Sequence, residues 1–163
     1  MATPEPVAGA STEPGLVPGD DRVPGARIVM VGWLANALFA ATAIPAAIFG
    51  GSVLDAISIA TSLALFFVAI AVFGYAFFKA LARTTRGDDI AVASLFFLQG
   101  SAPTPVRRTF AALFVVCLAV AAGTAAWEFF SVLVPMLPIG LAGMWAARYG
   151  TFPPRVPAPR RAR

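Results

Sequence analysis

Four long stretches of this chain carry no charged side chain: residues 28–54, 56–78, 109–127 and 129–147, which are 27, 23, 19 and 19 residues long. A hydrocarbon core about 30 Å thick is crossed by roughly 20 helical residues, so each stretch is long enough to span it. Apolar and polar residues do not alternate within them, which argues against a membrane barrel. In lipid the remaining way to satisfy every backbone N–H and C=O is a helix. The pattern therefore predicts an all-α integral membrane bundle of four transmembrane helices, over about 28–49, 53–79, 109–127 and 129–147, arranged as two hairpins within a domain 27–149.

The polar positions inside the spans predict how the helices meet. Gly32, Asn36 and Ala40 recur every four residues, which places small and polar groups on one face of the first helix. Between lipid-embedded helices no hydrophobic force acts, so close approach at small residues and a few hydrogen bonds do the joining. Asn36 lies too deep for water, and the antiparallel second helix should bring Thr61 and Ser62 to its depth. A hydrogen bond between Asn36 and that pair is the expectation. In the third span Ala119 and Gly123 form a small-xxx-small pair, read as a packing face. Pro135 and Pro138 predict a kink or a widened turn in the fourth span.

Between the spans, Gly50, Gly51 and Ser52 read as a tight turn. The second helix should continue past Lys79 toward Arg83, into a hinge over 80–108. There Ile90 to Leu98 form an apolar patch too short to span, expected to lie in the headgroup boundary or under the bundle. Asp88 or Asp89 is expected to cap a short helix that Gly100 ends, and Pro103 and Pro105 to keep the approach to the third helix extended. Residues 1–26 hold five prolines, four glycines and four acids, a composition expected to stay disordered. Their acidic start is also unlike a secretory signal. From Gly150 onward the chain is rich in proline and arginine and is read as an extended basic tail.

Charge then sets orientation. If the spans alternate, the arm with Arg27, the hinge with Lys79 and the tail with Arg148 carry two, five and five basic residues, all 12 in the chain, and the two opposite loops carry none. Both termini are thus expected in the cytoplasm, in a multi-pass plasma-membrane protein. Arg107, Arg108, Arg148, Arg155, Arg160, Arg161 and Arg163 are read as contacts to anionic lipid headgroups. The sequence pI near 10.2 becomes a topology signal, with lipid rather than nucleic acid as the nearer anion.

Candidate chemistry changes the picture little. The chain has no histidine and a single cysteine, Cys117, inside the third span. The commonest general base and metal ligand is missing, and neither a disulfide nor a metal motif can be assembled. Asp55 and Glu128 stand singly at the outer edge, and no nucleophile has a base beside it. No catalytic, cofactor-binding or metal-binding residue is read, and an enzyme is not expected.

The segments Phe96-Phe97-Leu98-Gln99-Gly100-Ser101-Ala102-Pro103 and Ala147-Arg148-Tyr149-Gly150-Thr151-Phe152-Pro153-Pro154-Arg155 resemble parts of small uncharacterised four-helix integral membrane proteins of actinobacteria. The resemblance implies the bundle but no activity. Small multidrug transporters have four short helices too, but rely on a membrane glutamate in the first span, where this chain has Asn36; the filter motif of fluoride channels is not visible either. Two function classes follow. One is a noncatalytic accessory or scaffold component that meets a membrane or cytoplasmic partner through 79–108. The other is a small transporter or channel working as a homo-oligomer.

Overall fold

The computed structural model describes residues 24–155. It is built from α1 (Ala26–Phe49), α2 (Ser52–Thr84), α3 (Val92–Phe96), α4 (Thr104–Thr124), a 3-10 helix (Phe129–Leu133) and α5 (Met136–Tyr149). The predicted disordered arm lies almost entirely outside the described residues, as does the tail beyond Arg155 with Arg160, Arg161 and Arg163. Four helical segments are long and apolar enough to cross a membrane: α1, α2, α4, and the 3-10 helix with α5 over Phe129–Tyr149. The chain is all-α and fits a multi-pass membrane protein. Among the described residues the β pairing is one isolated bridge, Asp88 to Pro154.

The α1–α2 turn requires glycine. Gly50 and Gly51 both have left-handed φ, 62° and 106°, where a side chain would be strained. α2 then runs for 33 residues, about 50 Å at 1.5 Å per residue, longer than a hydrocarbon core. It continues beyond Lys79 to Thr84, as its sequence implied.

The helix around which the others pack is α5. In the Phe129–Tyr149 segment 61% of the apolar stretch is buried, against 22–28% in the other three. Its main partner is α2, not its sequence neighbour α4. Contacts climb both chains together, from Ser58 against Glu128, through Ala69 against Gly140 and Ala76 against Gly143, to Arg83 against Ala147 and Gly150. The two helices are therefore parallel. Small residues let their backbones approach: a Cβ on Gly140 would stand 3.4 Å from the Ala69 carbonyl oxygen and the Phe73 nitrogen.

The α2 face in this seam is Ser58, Ser62, Leu65, Ala69, Ala76 and Ala80. With the half-buried Val72, Ser58, Leu65 and Val72 repeat every seven residues, as do Ser62, Ala69 and Ala76. That is the spacing by which one helix keeps a single stripe against a partner.

α1 and α4 flank this pair. On α1, Gly32 is buried as its spacing implied: a Cβ there would meet Leu113 Cδ1 at 3.0 Å and Leu141 Cδ1 at 3.3 Å. Ala40 is half-buried two turns further on. α4 turns a different face inward from the one its sequence suggested. Phe110, Leu113, Cys117, Ala121 and Thr124 are buried, while Ala119 and Gly123 are exposed and nothing lies within 4 Å of a Cβ built on Gly123. The larger side chains fill the space beside α1 and α5, and the alanine-glycine face is left outward.

The prolines also act differently. α4 begins at Thr104, earlier than expected, because Pro105 sits in its first turn, where its missing N–H would have had no partner. Pro103 alone is extended, with ψ 148°. Pro135 caps α5 and Pro138 lies in its first turn, so they mark the join between the 3-10 helix and α5 instead of bending a continuous rod.

Candidate functional site

All the basic residues described after α1 begins lie toward one end of the bundle, and at this basic end the chain folds into a clasp. Arg83, in the last turn of α2, donates from Nε to Asp88 Oδ2 at 2.7 Å and from Nη1 to the Gly150 carbonyl at 3.0 Å. Its guanidinium carbon stands 4.8 Å from the centre of the Phe152 ring. Backbone bonds complete the closure: Asp89 N–H to the Pro153 carbonyl at 2.9 Å, Arg155 N–H to Gly87 at 2.7 Å and Thr151 N–H to Ser101 at 3.1 Å. Residues 151–155 are docked on the hinge.

Asp88 and Asp89 do not cap α3. Asp88 is held by Arg83, and Ser94 Oγ instead accepts from the Ala91 N–H at 3.1 Å. α3 ends at Phe96, before Leu98, whose positive φ of 57° turns the chain ahead of Gly100. Part of the apolar patch around α3 packs under the bundle, while Val92 and Phe97 stay exposed. Phe96 stacks on Phe73 of α2, ring centres 4.3 Å apart and planes within 5°. Leu95 and Leu98 are buried beside it.

Between the ends of α2 and α5 lies a cleft of about 460 Å³ lined by Lys79, Arg83, Arg86 and Arg148, with Asp88 as its one acid. Lys79, Arg86 and Arg148 are exposed there, whereas Arg83 is engaged by the clasp. Arg107 and Arg108 are exposed in the first turns of α4, and Arg155 in the docked tail. This surface can bind anions, because several cations share one opening and one carboxylate offsets them.

The polar groups of the spans fall in two places. Asn36 Nδ2 donates to the Leu113 carbonyl of α4 at 2.9 Å, so its partner is a backbone oxygen of the third span and not Thr61 or Ser62. Pairing by depth along one hairpin missed this because α1 turns its Gly32–Asn36 face to α4. Thr61 is half-buried, and the Ser62 hydroxyl is buried with no partner.

The second place is the far end, opposite the clasp. Glu128 follows α4 and turns inward between α2 and the 3-10 helix, only 8% exposed, instead of standing in water at the edge. The Ser58 hydroxyl donates to its Oε2, and its Oε1 is buried without a partner. Ser131 and Thr124 hold the backbone around it: Ser131 Oγ donates to the Glu128 carbonyl at 2.7 Å, and the Glu128 N–H to the Thr124 carbonyl at 2.9 Å. Trp127, its neighbour in the chain, is exposed. The signal that could have exposed Glu128 was the seven-residue stripe on α2, which begins with Ser58.

The fold and these ends define an all-α bundle with four helical segments able to cross a membrane, a basic clasped end and one buried carboxyl at the other end. No protein-family model, curated protein or solved structure matches the chain.

Proposed function

We propose that this is a noncatalytic multi-pass protein of the plasma membrane, both termini cytoplasmic, acting as an accessory or scaffold component that offers its basic end to an acidic partner. The observation that carries this reading is the clasped cleft of about 460 Å³, where Lys79, Arg83, Arg86 and Arg148 face one acid. A solvated hinge would lose conformational entropy on binding; the docked tail and the Arg83 bonds have already ordered this one. Arg107, Arg108, Arg155 and the remaining tail arginines contact anionic headgroups around it, each contributing about 1 kcal/mol. The bundle axis between the two ends is filled by Ala69, Ala76, Gly140, Leu141 and Trp145, which supports a structural role over a path through one chain.

Purification in a gentle detergent tests this reading. A stoichiometric partner should accompany the wild-type chain and be lost when Lys79, Arg86 and Arg148 are all changed to Glu, while the helical circular-dichroism signal is unchanged. Retention of the partner by that triple variant overturns the proposal. So does a purified homo-oligomer that moves a solute into liposomes unaided.

A further inference from the structure

We propose that the far end of the bundle holds one small hard cation between Glu128, Asp55 and Ser58. A cavity of about 20 Å³ lies there, lined by these three side chains together with Ala46, Ala47 and Trp127. Its volume suits a single water-sized occupant, since a site needs roughly 10–15 Å³ to admit one, and is too small for an organic molecule.

Its chemistry is oxygen alone, the donor set of hard cations. Glu128 lines the cavity, and its Oε1 is buried without a partner. The Ser58 hydroxyl is used once as a donor, to Oε2, which leaves its lone pairs to coordinate. Asp55 contributes a second carboxyl at the exposed rim, from the first turn of α2. Ala46 and Ala47 bring the C-terminal turn of α1, where the negative end of the helix dipole also favours a cation.

Among the described residues no Lys or Arg lines this cavity. Among the described residues the one ion pair is Arg83 with Asp88, at the basic end. From Ser58 to Arg83 the helix rises about 37 Å, well beyond a Debye length of about 8 Å in physiological salt. An ionisable group at membrane depth is costly unless it is paired, and ordinarily marks an ion site. A cation from the outer solution, its shell completed by water, would supply the pairing.

The test is thermal unfolding of the full chain in detergent with Na⁺, Mg²⁺ or Ca²⁺ chloride, against choline chloride at equal ionic strength. At about ten times its Kd, one of the three cations should raise the midpoint by roughly 3–6 °C. Glu128→Gln should abolish that rise. Asp55→Asn, at the exposed rim where folding is undisturbed, should shift the cation concentration needed at least tenfold. The proposal is overturned if no cation differs from choline in the wild type, the result for a site that holds water alone. It is equally overturned if Asp55→Asn responds as the wild type does.

Discussion

Gly143→Ala adds one methyl group at a tight contact between α5 and α3. A Cβ there would stand 2.6 Å from both Cδ1 and Cε1 of Phe96 and 3.3 Å from the Ala76 Cβ. Ordinary carbon contact begins near 3.4 Å, so the ring must retreat by about 0.8 Å. Cavities of about 200 and 180 Å³ border Phe96, but a shift into them breaks its stack on Phe73, where the ring centres stand 4.3 Å apart. Inserting a methylene into such packing costs about 1–3 kcal/mol. Reversible unfolding in mixed micelles, followed by circular dichroism, should show that loss. Gly123→Ala, where nothing lies within 4 Å, should leave stability unchanged or slightly improved. A double-mutant cycle closes the reasoning: Phe96→Leu removes the obstructing ring edge, so the two substitutions together should cost less than their sum by at least about 0.5 kcal/mol. Equal effects at Gly143 and Gly123, or simple additivity with Phe96→Leu, would refute the contact.

Asn36→Leu removes the bond to the Leu113 carbonyl and should cost about 0.6–2 kcal/mol in the same unfolding assay, while Thr61→Val should leave the Asn36 contribution intact. Gly32→Val forces α1 away from Leu113 and Leu141 and should destabilise by about 1–3 kcal/mol; an unchanged midpoint would contradict the α1–α4 contact. Arg83→Gln unfastens the tail, so amide exchange at Asp89, Thr151 and Arg155 should quicken at least tenfold, about 1.4 kcal/mol, with protection in the middle of α5 retained.

The four spans were legible because charge placement is a one-dimensional signal. Lys79, Arg107 and Arg148 bracket the runs, and lipid gives an uncharged run of such length one stable conformation. The packing was harder to read because small residues occur on several helix faces. Gly32 and Gly123 look alike in sequence, yet one abuts Leu113 and the other faces outward. What separates them is the bulk on the rest of each helix. Leu113, Cys117 and Phe110 commit the opposite side of α4 to the core, whereas on α1 Gly32 and Asn36 share the inward face with the buried Phe39 and Ala43.

The parallel seam was present in the sequence as two seven-residue series on α2, hidden because its members are serine, alanine and leucine rather than an apolar stripe against polar surroundings. Every face of a membrane helix is apolar, so contrast cannot identify the inner one. The clasp was hidden for another reason. Pro153 and Pro154 forbid a helix but permit an extended segment, and whether that segment docks depends on Arg83, about 70 residues earlier in the chain.

The parallel register of α2 and α5 can be read directly by cysteine cross-linking in native membranes. In a Cys117→Ala, Phe96→Ala background, which removes the native thiol and makes room for a new one, cysteines replacing Ala76 and Gly143 stand at a Cβ separation of 3.3 Å, close to the 3.5–4.5 Å of a disulfide. Parallel packing predicts that this pair is cross-linked by an added oxidant, and that Ala76→Cys with Ser131→Cys, 12 residues or about 18 Å apart along the seam, is not. Cross-linking of the second pair in place of the first would show that α5 runs the other way and would contradict the bundle.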